Sequence, residues 1–386
     1  MQSFRDFREV LELDEARLRT LAAGDDAPER LWAVWALALR QHPDAAALAR
    51  AAAGHDPSPG VRAHMALLLV SNGELHAARV LARRDPESLV RAAACRSLAR
   101  TADPRDAATQ ELLASAMRTD SASDVHVAIA DGLRTDASEG LWRACVDRRA
   151  DTDDAVRGTV VDAMLRRWRP EAPLPPELRE RIVEEPAASL RATVLRAWVG
   201  AQGLSAVLRQ LATGDARGVE NALDFVAAED LWLPEQDASA LLSLDVPEVD
   251  ARVARSHARG RTRLTLAQLC ELAIRGERSD WRDDDASAQY EATRAAIEAL
   301  APLLVEISTV SDDERALLSR LGESIEARLR RAFPEVDPQA VHRYLWGDAF
   351  DRDERSGLAA AELYGWAPYI PGMKVMADLQ RLSRSG

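Results

Sequence analysis

Lysine is almost missing from this 386-residue chain: the only one is Lys374, and every other cationic residue is an arginine. Aromatic residues make up 5% of the sequence, so alanine, leucine and valine must fill most of the core. Acidic residues outnumber basic ones by 63 to 50, which gives a formal net charge of −13. This balance disfavours a strongly basic nucleic-acid-binding protein and a polybasic membrane-surface protein.

Cysteine is also scarce. Cys95, Cys145 and Cys270 form no CxxC pair, which excludes a disulfide framework and indicates a reducing compartment. The first residues alternate charge with phenylalanine and lack the apolar core of a secretory signal. The longest apolar runs, 31–39 and 63–70, have about half the length that a membrane-spanning helix needs. We therefore expect a cytoplasmic protein that does not enter a membrane.

The sequence motifs of common catalytic and cofactor sites are missing. The chain has no GxxxxGK[ST], GxGxxG, GxSxG or HExxH string, and no two of its seven histidines lie four residues apart. Its densest carboxylate clusters, 283–285 and 348–354, lack the glycine hinge and the ligand spacing of a calcium loop. We therefore predict no metal site and no cofactor, and the sequence favours a protein that is not an enzyme.

What the sequence does contain is an internal repeat. An acidic residue, often followed by proline, precedes an aliphatic residue by five positions, and arginine usually comes next; residues 56–62 and 85–91 are the clearest copies. The aliphatic anchors recur about every 31 residues. They are Leu31, Val61, Val90, Val125, Val156, Leu190, Val219 and Val249.

The length and pattern of the repeat predict pairs of helices. A unit of this length suits two short helices with two turns and is too short for a strand–helix–strand unit. Proline is tolerated at the first position of a helix, and an acidic residue before it can cap the first turn. After the anchors, apolar residues follow at helical spacing, as at Val61, Met65 and Leu69. An all-α array of helical hairpins is the expected fold.

The DPxxxVR strings at 56–62 and 85–91, which are followed by RAHMALLL and RAAACRSLA, resemble the HEAT-repeat superfamily. The closest variety is the short repeat first noted in phycobilin lyase subunits. The resemblance implies a right-handed α-solenoid of about eight HEAT-like hairpins over roughly residues 25–260. It also implies an Asp–Arg ladder between successive repeats, formed here by Asp56, Arg62, Asp85, Arg91, Asp151, Arg157, Glu185 and Arg191. His126, Glu220 and Asp250 depart from the arginine of the motif.

The repeat pattern fades near residue 261. We expect a HEAT-like repeat solenoid at 1–261 and a helical C-terminal module at 262–386, with its first helix at 264–274. The module contains an aromatic, turn-rich string at 366–372. Two roles stay open for it: a cap over the last hydrophobic face of the solenoid, which the sequence favours, or a docking site for a partner.

The favoured function is a protein-binding scaffold, adaptor or regulatory subunit of a bacterial multi-protein complex that uses the concave solenoid face. A partner with a basic surface would match the negative charge. One alternative is a HEAT-like DNA-binding or DNA-repair protein similar to the alkylpurine DNA glycosylases, and another is a lyase or chaperone-type subunit acting on a partner protein. The oligomeric state stays open. Candidate partner-binding residues are Trp142, Trp168, Trp198, Trp232, Trp346, Trp366 and Tyr369.

Overall fold

The computed structural model describes residues 6–275, apart from 102 and 215, and ten isolated helical positions at 295, 296, 299, 313, 316, 317, 320, 321, 323 and 327. From residue 6 to residue 275 there are eighteen α-helices, one 3₁₀ helix at Arg148–Ala150, and no strand. The α-helices are α1 Phe7–Leu11, α2 Glu15–Ala22, α3 Ala27–Leu39, α4 Ala45–His55, α5 Pro59–Ser71, α6 Leu75–Arg84, α7 Ser88–Thr101, α8 Ala107–Thr119, α9 Ser123–Gly132, α10 Glu139–Asp147, α11 Asp154–Arg167, α12 Pro176–Glu184, α13 Ala188–Gln202, α14 Leu204–Ala212, α15 Ala216–Ala228, α16 Glu235–Leu242, α17 Pro247–Ala258 and α18 Leu266–Arg275.

The repeat anchors all lie near the start of an odd-numbered helix. The eight anchors from Leu31 to Val249 fall one each in α3, α5, α7, α9, α11, α13, α15 and α17. Proline is the first residue of both α5 and α17, where its missing N–H breaks no helical hydrogen bond. The predicted all-α solenoid of HEAT-like hairpins is therefore confirmed.

In the first part of the protein the helices form two layers. One layer contains α3, α5, α7, α9 and α11, which pack side by side. The second layer contains α4, α6, α8 and α10, which pack against the first. The inward-facing side chains of α5, among them Val61, Met65 and Leu69, are completely or almost completely buried. Burial of such side chains from water is the main source of stability in a repeat array, because each helix pair packs only on its neighbours.

Small residues allow α7 and α9 to approach each other closely. A Cβ atom placed on Gly132 would lie 2.9 Å from the Cβ of Ala99 and 2.9 Å from the carbonyl oxygen of Arg96. Both distances are shorter than side chains tolerate, so glycine is required at the end of α9 for this packing.

The protein divides into two compact units. The first contains the described residues up to Arg181 together with Glu185–Leu190, and the second contains Ile182–Glu184 and the described residues from Arg191 onward. The division thus falls near residues 181–191, and the boundary expected at 261 lies within the second unit. Helix α18 lies where a helix was expected, but most of the C-terminal module lies outside the described residues, and its extent remains a prediction.

Candidate functional site

In the first unit, the acidic residue of the repeat organises the turn before an odd-numbered helix. Asp85 follows α6, and its Oδ1 accepts a hydrogen bond of 3.0 Å from the N–H of Glu87. Asp56 accepts from the N–H of Ser58 at 2.8 Å in the same way. The expectation that these carboxylates cap the first helical turn was wrong in detail. Each carboxylate accepts from the N–H of the residue just before the helix, which lies two positions after the acidic residue in sequence.

The motif arginine connects two successive turns. Nη1 of Arg62 donates to the backbone oxygen of Asp56, in its own turn, at 2.9 Å. Its Nε and Nη2 donate to the two carboxylate oxygens of Asp85, in the next turn, at 2.9 and 3.0 Å. This bidentate geometry is the strongest form of an arginine–carboxylate pair. The exposed fractions of the two side chains are 12% for Arg62 and 4% for Asp85, so solvent screens the pair weakly.

The same arrangement occurs at three other positions of the first unit. The pairs Arg30–Asp56, Arg91–Asp120 and Arg157–Glu185 have shortest N–O distances of 2.7, 2.8 and 2.9 Å. Arg30 and Asp120 were missing from the expected ladder. Arg30 precedes the chosen anchor Leu31 and lies about one repeat before Arg62, and this spacing between arginines is the signal that could have found it. The last expected member, Arg191, is half-buried in α13.

His126 interrupts the series. It occupies the position of Arg62 and Arg91, but its buried Nε2 has no hydrogen-bond partner among the described residues. Arg148 replaces the missing arginine: its Nη1 lies 3.1 Å from Oδ2 of Asp151. Burial, helped by the positive charge of Arg148, lowers the pKa of His126 below its usual value, so the imidazole is neutral at neutral pH.

Acidic residues take the arginine position in the second unit. Glu220 and Asp250 follow their anchors directly, and arginines from later helices approach them. Nη1 of Arg252 lies 3.4 Å from Glu220, and Nη1 of Arg275 lies 3.2 Å from Oδ2 of Asp250. Ion pairs therefore persist in this unit, but an acidic residue follows the anchor and the arginine comes from a later helix.

The two kinds of carboxylate differ in pKa. Burial alone would raise the pKa of Asp85, but the hydrogen bonds from Arg62 and the Glu87 N–H outweigh it and keep this pKa below its usual value. Burial prevails at Asp250 and raises its pKa to about 6. Oδ1 of Asp250 is buried and has no hydrogen-bond partner among the described residues, which explains the difference.

An apolar groove of about 470 Å³ opens on the layer formed by α7, α9 and α11. Leu89, Val127 and Ala155 line it, and Leu89 is 56% exposed. The carboxylates of Asp124 and Asp153 border the same groove. Hydroxyl groups of the preceding repeat hold both of them: the Ser88 hydroxyl donates to Asp124 at 2.9 Å, and the Ser123 hydroxyl lowers the pKa of Asp153.

The described tryptophans among the proposed partner-binding residues differ in burial and in surroundings. Trp142 and Trp168 line a common cavity in the first unit. Trp198 is fully buried in the second unit, and its Nε1 donates to Gln202 at 3.1 Å, so the proposal that it contacts a partner was wrong. Trp232, also in the second unit, is 48% exposed. Trp346, Trp366 and Tyr369 lie outside the described residues.

The described residues offer no obvious catalytic group. Cys95, Cys145 and Cys270 are all buried, and burial raises the pKa of Cys95 and of Cys145 to about 12, so neither provides a thiolate. Among the residues that the structure describes, no group of three or more histidine, cysteine, aspartate or glutamate side chains is arranged to hold a metal ion. No helix in this part of the protein is long and apolar enough to cross a membrane.

Comparisons with known proteins agree with the repeat pattern. Residues 15–99 match the family of HEAT repeats. An X-ray structure of YibA from E. coli is 14% identical over 77% of this chain and 99% of its own, with a TM-score of 0.40. The crystal structure of an engineered protein is 17% identical over 99% of this chain and 93% of its own, with a TM-score of 0.28. No curated protein matches the sequence. HEAT repeats form helical scaffolds that generally mediate protein interactions.

Proposed function

We propose that this protein is a non-catalytic scaffold that binds a basic segment of a partner protein. The observation that carries this proposal is the groove on α7, α9 and α11. Its floor is apolar, at Leu89, Val127 and Ala155, and two carboxylates stand at its edge. A site of this composition suits an apolar side chain next to an arginine or lysine, because the apolar group is desolvated while the cation meets the carboxylates.

The charges around the groove favour a cationic partner. Arg96 also lines the groove, but its Nε lies 3.2 Å from Oδ2 of Asp131, which compensates its charge. Asp124 and Asp153 accept hydrogen bonds from neutral hydroxyl and amide groups, so their negative charges remain available to a partner. The same carboxylates would repel phosphate groups, which supply most of the affinity of non-specific DNA binding.

Selection from a library of short random peptides tests this proposal. We expect the full-length protein to enrich peptides in which an apolar residue adjoins arginine or lysine. The variant Leu89→Arg places a cation in the groove and should raise the dissociation constant of the selected peptides by at least about tenfold. Since Leu89 is largely exposed, this change should leave thermal stability nearly unaltered.

Leu39→Arg is the matched control, because Leu39 is 60% exposed at the end of α3 and does not line the groove. It should bind the selected peptides as tightly as the parent protein. The proposal fails if acidic peptides are enriched, or if Leu89→Arg and Leu39→Arg behave alike. Micromolar binding of random duplex DNA at physiological ionic strength would instead support a nucleic-acid function.

A further inference from the structure

A second cavity lies elsewhere in the first unit, between α10, α11, the loop at 168–175 and the start of α12. Its volume is about 620 Å³, which is in the range of sites that hold a small ligand or a few peptide side chains. Much of its wall is apolar and comes from Trp142, Val146, Met164, Trp168, Pro173 and Pro175. A ligand of this cavity must therefore carry an apolar group.

The local sequence makes one wall of this cavity rigid. Trp168 ends α11 in an extended conformation, and the following residues contain prolines at 170, 173, 175 and 176, which prevent a continuous helix. Nε1 of Trp168 donates to the carbonyl oxygen of Ala172 at 3.1 Å and closes the loop, and Leu174 of the same loop is buried. The cavity is thus preorganised by the protein itself, which reduces the entropy cost of binding.

The polar part of the lining is rich in guanidinium groups. Four arginines, Arg143, Arg149, Arg167 and Arg169, line the cavity together with Glu139, Asp147 and Glu177. Counted over the lining alone, one positive charge is in excess, and Glu180, just outside the lining, compensates the charge of Arg149.

The arginines of the cavity differ in their partners. Arg143 and Arg167 share Glu139, each at 3.4 Å. Arg149 lies 3.5 Å from Glu180, which is outside the lining. Arg169 is exposed and makes no ion pair with any described residue. Its guanidinium is therefore available to an anionic ligand.

Two of the lining residues carry an N–H donor that is buried without an acceptor among the described residues. Trp142 is 2% exposed, and its Nε1 has no hydrogen-bond partner among the described residues; the same holds for Nε of Arg149. The Arg167 guanidinium lies over the Trp142 ring, 4.5 Å from its centroid, and helps to keep the ring in place. Both atoms are closed to solvent, so a ligand in the cavity reaches them only if the surrounding side chains move.

We propose that this cavity binds a carboxylate carried beside an apolar side chain on a peptide segment. Planar carboxylates match guanidinium groups through paired hydrogen bonds, and Arg169 is the lining guanidinium that has no carboxylate partner among the described residues. The carboxylate can come from the C-terminus of a polypeptide or from an aspartate or glutamate side chain. The proposal rests on the role of the protein as a protein-binding scaffold, but its site and ligand charge differ from those of the groove.

Titration calorimetry with three N-acetylated peptides tests the proposal. The first ends in phenylalanine with a free carboxylate, the second is its C-terminal amide, and the third is the amide with glutamate beside the phenylalanine. We expect the amide to bind at least about tenfold more weakly than one of the carboxylate peptides. Which of the two carboxylate peptides binds shows the source of the anion. Binding of neither, or equal binding of the amide, overturns the proposal.

Two variants connect the binding to the cavity. Arg169→Gln should raise the dissociation constant of the carboxylate peptide by about tenfold without changing the melting temperature of the protein. Arg83→Gln is its matched control, because Arg83 is also exposed without an ion pair to a described residue and lies on α6, away from the cavity. The indole N–H resonance of Trp142, assigned with Trp142→Phe, should shift on binding. An unmoved resonance or equal effects of the two arginine variants would refute the assignment.

The same measurements separate this proposal from the proposed function. Leu89→Arg changes only the groove and should leave binding of the carboxylate peptide intact. If Arg169→Gln has no effect while Leu89→Arg abolishes binding of basic peptides, the cavity proposal fails and the scaffold function stands. If Arg169→Gln weakens binding of the carboxylate peptide while Leu89→Arg leaves binding of basic peptides unchanged, the groove proposal fails and the cavity proposal stands.

Discussion

The two compact units connect their repeats with the same residue types in opposite order. In the first unit an arginine follows the anchor, and its guanidinium reaches the acidic residue of the next turn, as in Arg62–Asp85. In the second unit the acidic residue follows the anchor, and the arginine comes from a later helix, as in Asp250–Arg275. Both links contain an ion pair, but the carboxylates of Asp85 and Asp250 differ in their hydrogen bonds and in the direction of their pKa shifts.

The difference lies in how completely each carboxylate is hydrogen-bonded. Asp85 accepts from Nε and Nη2 of Arg62 and from the Glu87 N–H, so both of its oxygens are satisfied. Asp250 accepts from Arg275 through Oδ2 alone, and its buried Oδ1 has no partner among the described residues. A buried charge is stable only where its hydrogen-bonding capacity is filled, which explains why the two pKa values shift in opposite directions.

The largest effect is expected from Asp85→Ala, which removes the carboxylate of a fully bonded link. The change leaves Arg62 without its partner in a mostly buried position and should lower the free energy of unfolding by about 3 kcal/mol. Denaturant unfolding of the full-length protein measures this value. Arg62→Ala combined with Asp85→Ala should cost less than the sum of the single changes, because the two residues interact.

Asp136→Ala is the matched control. Arg134 and Asp136 form an equally bidentate pair, with both N–O distances at 2.9 Å, but their side chains are 45% and 53% exposed. Solvent-exposed pairs contribute little to stability, so this variant should unfold at nearly the parent denaturant concentration. Equal losses in Asp85→Ala and Asp136→Ala would contradict the argument that burial makes the link important.

The sequence predicts such links only where the motif is complete. Arg62 and Asp85 belong to two successive DPxxxVR strings, and the family resemblance is enough to pair them. Arg30 could not be paired by the same rule, because Gly24 stands six positions before it, where the other turns have an acidic residue. Its guanidinium still donates to the Gly24 carbonyl oxygen, at 3.1 Å. The backbone bond survives there because it needs no particular side chain.

Packing between distant residues was harder to predict. Arg148 reaches Asp151 across a 3₁₀ turn and also donates to the carbonyl oxygen of Met117 at 2.7 Å, and no motif records that placement. Helical spacing shows that Trp198 lies on a helix, but it does not show that this face is fully buried. The fold could therefore be predicted well, whereas the groove and the cavity depend on side-chain packing that appears only in the structure.

A smaller effect is expected from Arg148→Ala, which breaks the substitute link at the interruption. Arg148 loses its bonds to Asp151, to Met117 and to the carbonyl oxygen of Arg118, and the variant should unfold with about 2 kcal/mol less free energy. Adding His126→Arg restores the motif residue six positions after Asp120 and should recover about half of the loss. A double variant no more stable than Arg148→Ala would show that position 126 cannot replace Arg148.

The smallest effect is a pH dependence in the second unit. The folded pKa of Asp250, about 6, lies above its ordinary value of 3.8, so the folded state binds more protons between these two pH values. The resulting stabilisation is complete below pH 3.8 and is lost as the pH rises through about 6. Relative to the parent protein, Asp250→Asn should gain about 1–2 kcal/mol between about pH 4 and about pH 7.

This comparison isolates Asp250 from the other titrating groups. The lowered pKa values of His126 and His257 act in both proteins and cancel in the difference between their unfolding free energies. Unfolding midpoints of parent and variant across this pH range give the measurement. A difference that stays constant with pH would mean that Asp250 does not titrate in this window.

The short reach of the arginine links has a consequence for how the protein folds. Their partners are 23 to 29 residues apart in sequence, so each link closes a loop of about one repeat. Local closure of this kind costs little conformational entropy and favours rapid folding that starts in one repeat and spreads to the next. Folding could begin independently on either side of His126, and the hydrogen bonds from Arg148 to the carbonyl oxygens of Met117 and Arg118 would then join the two segments late.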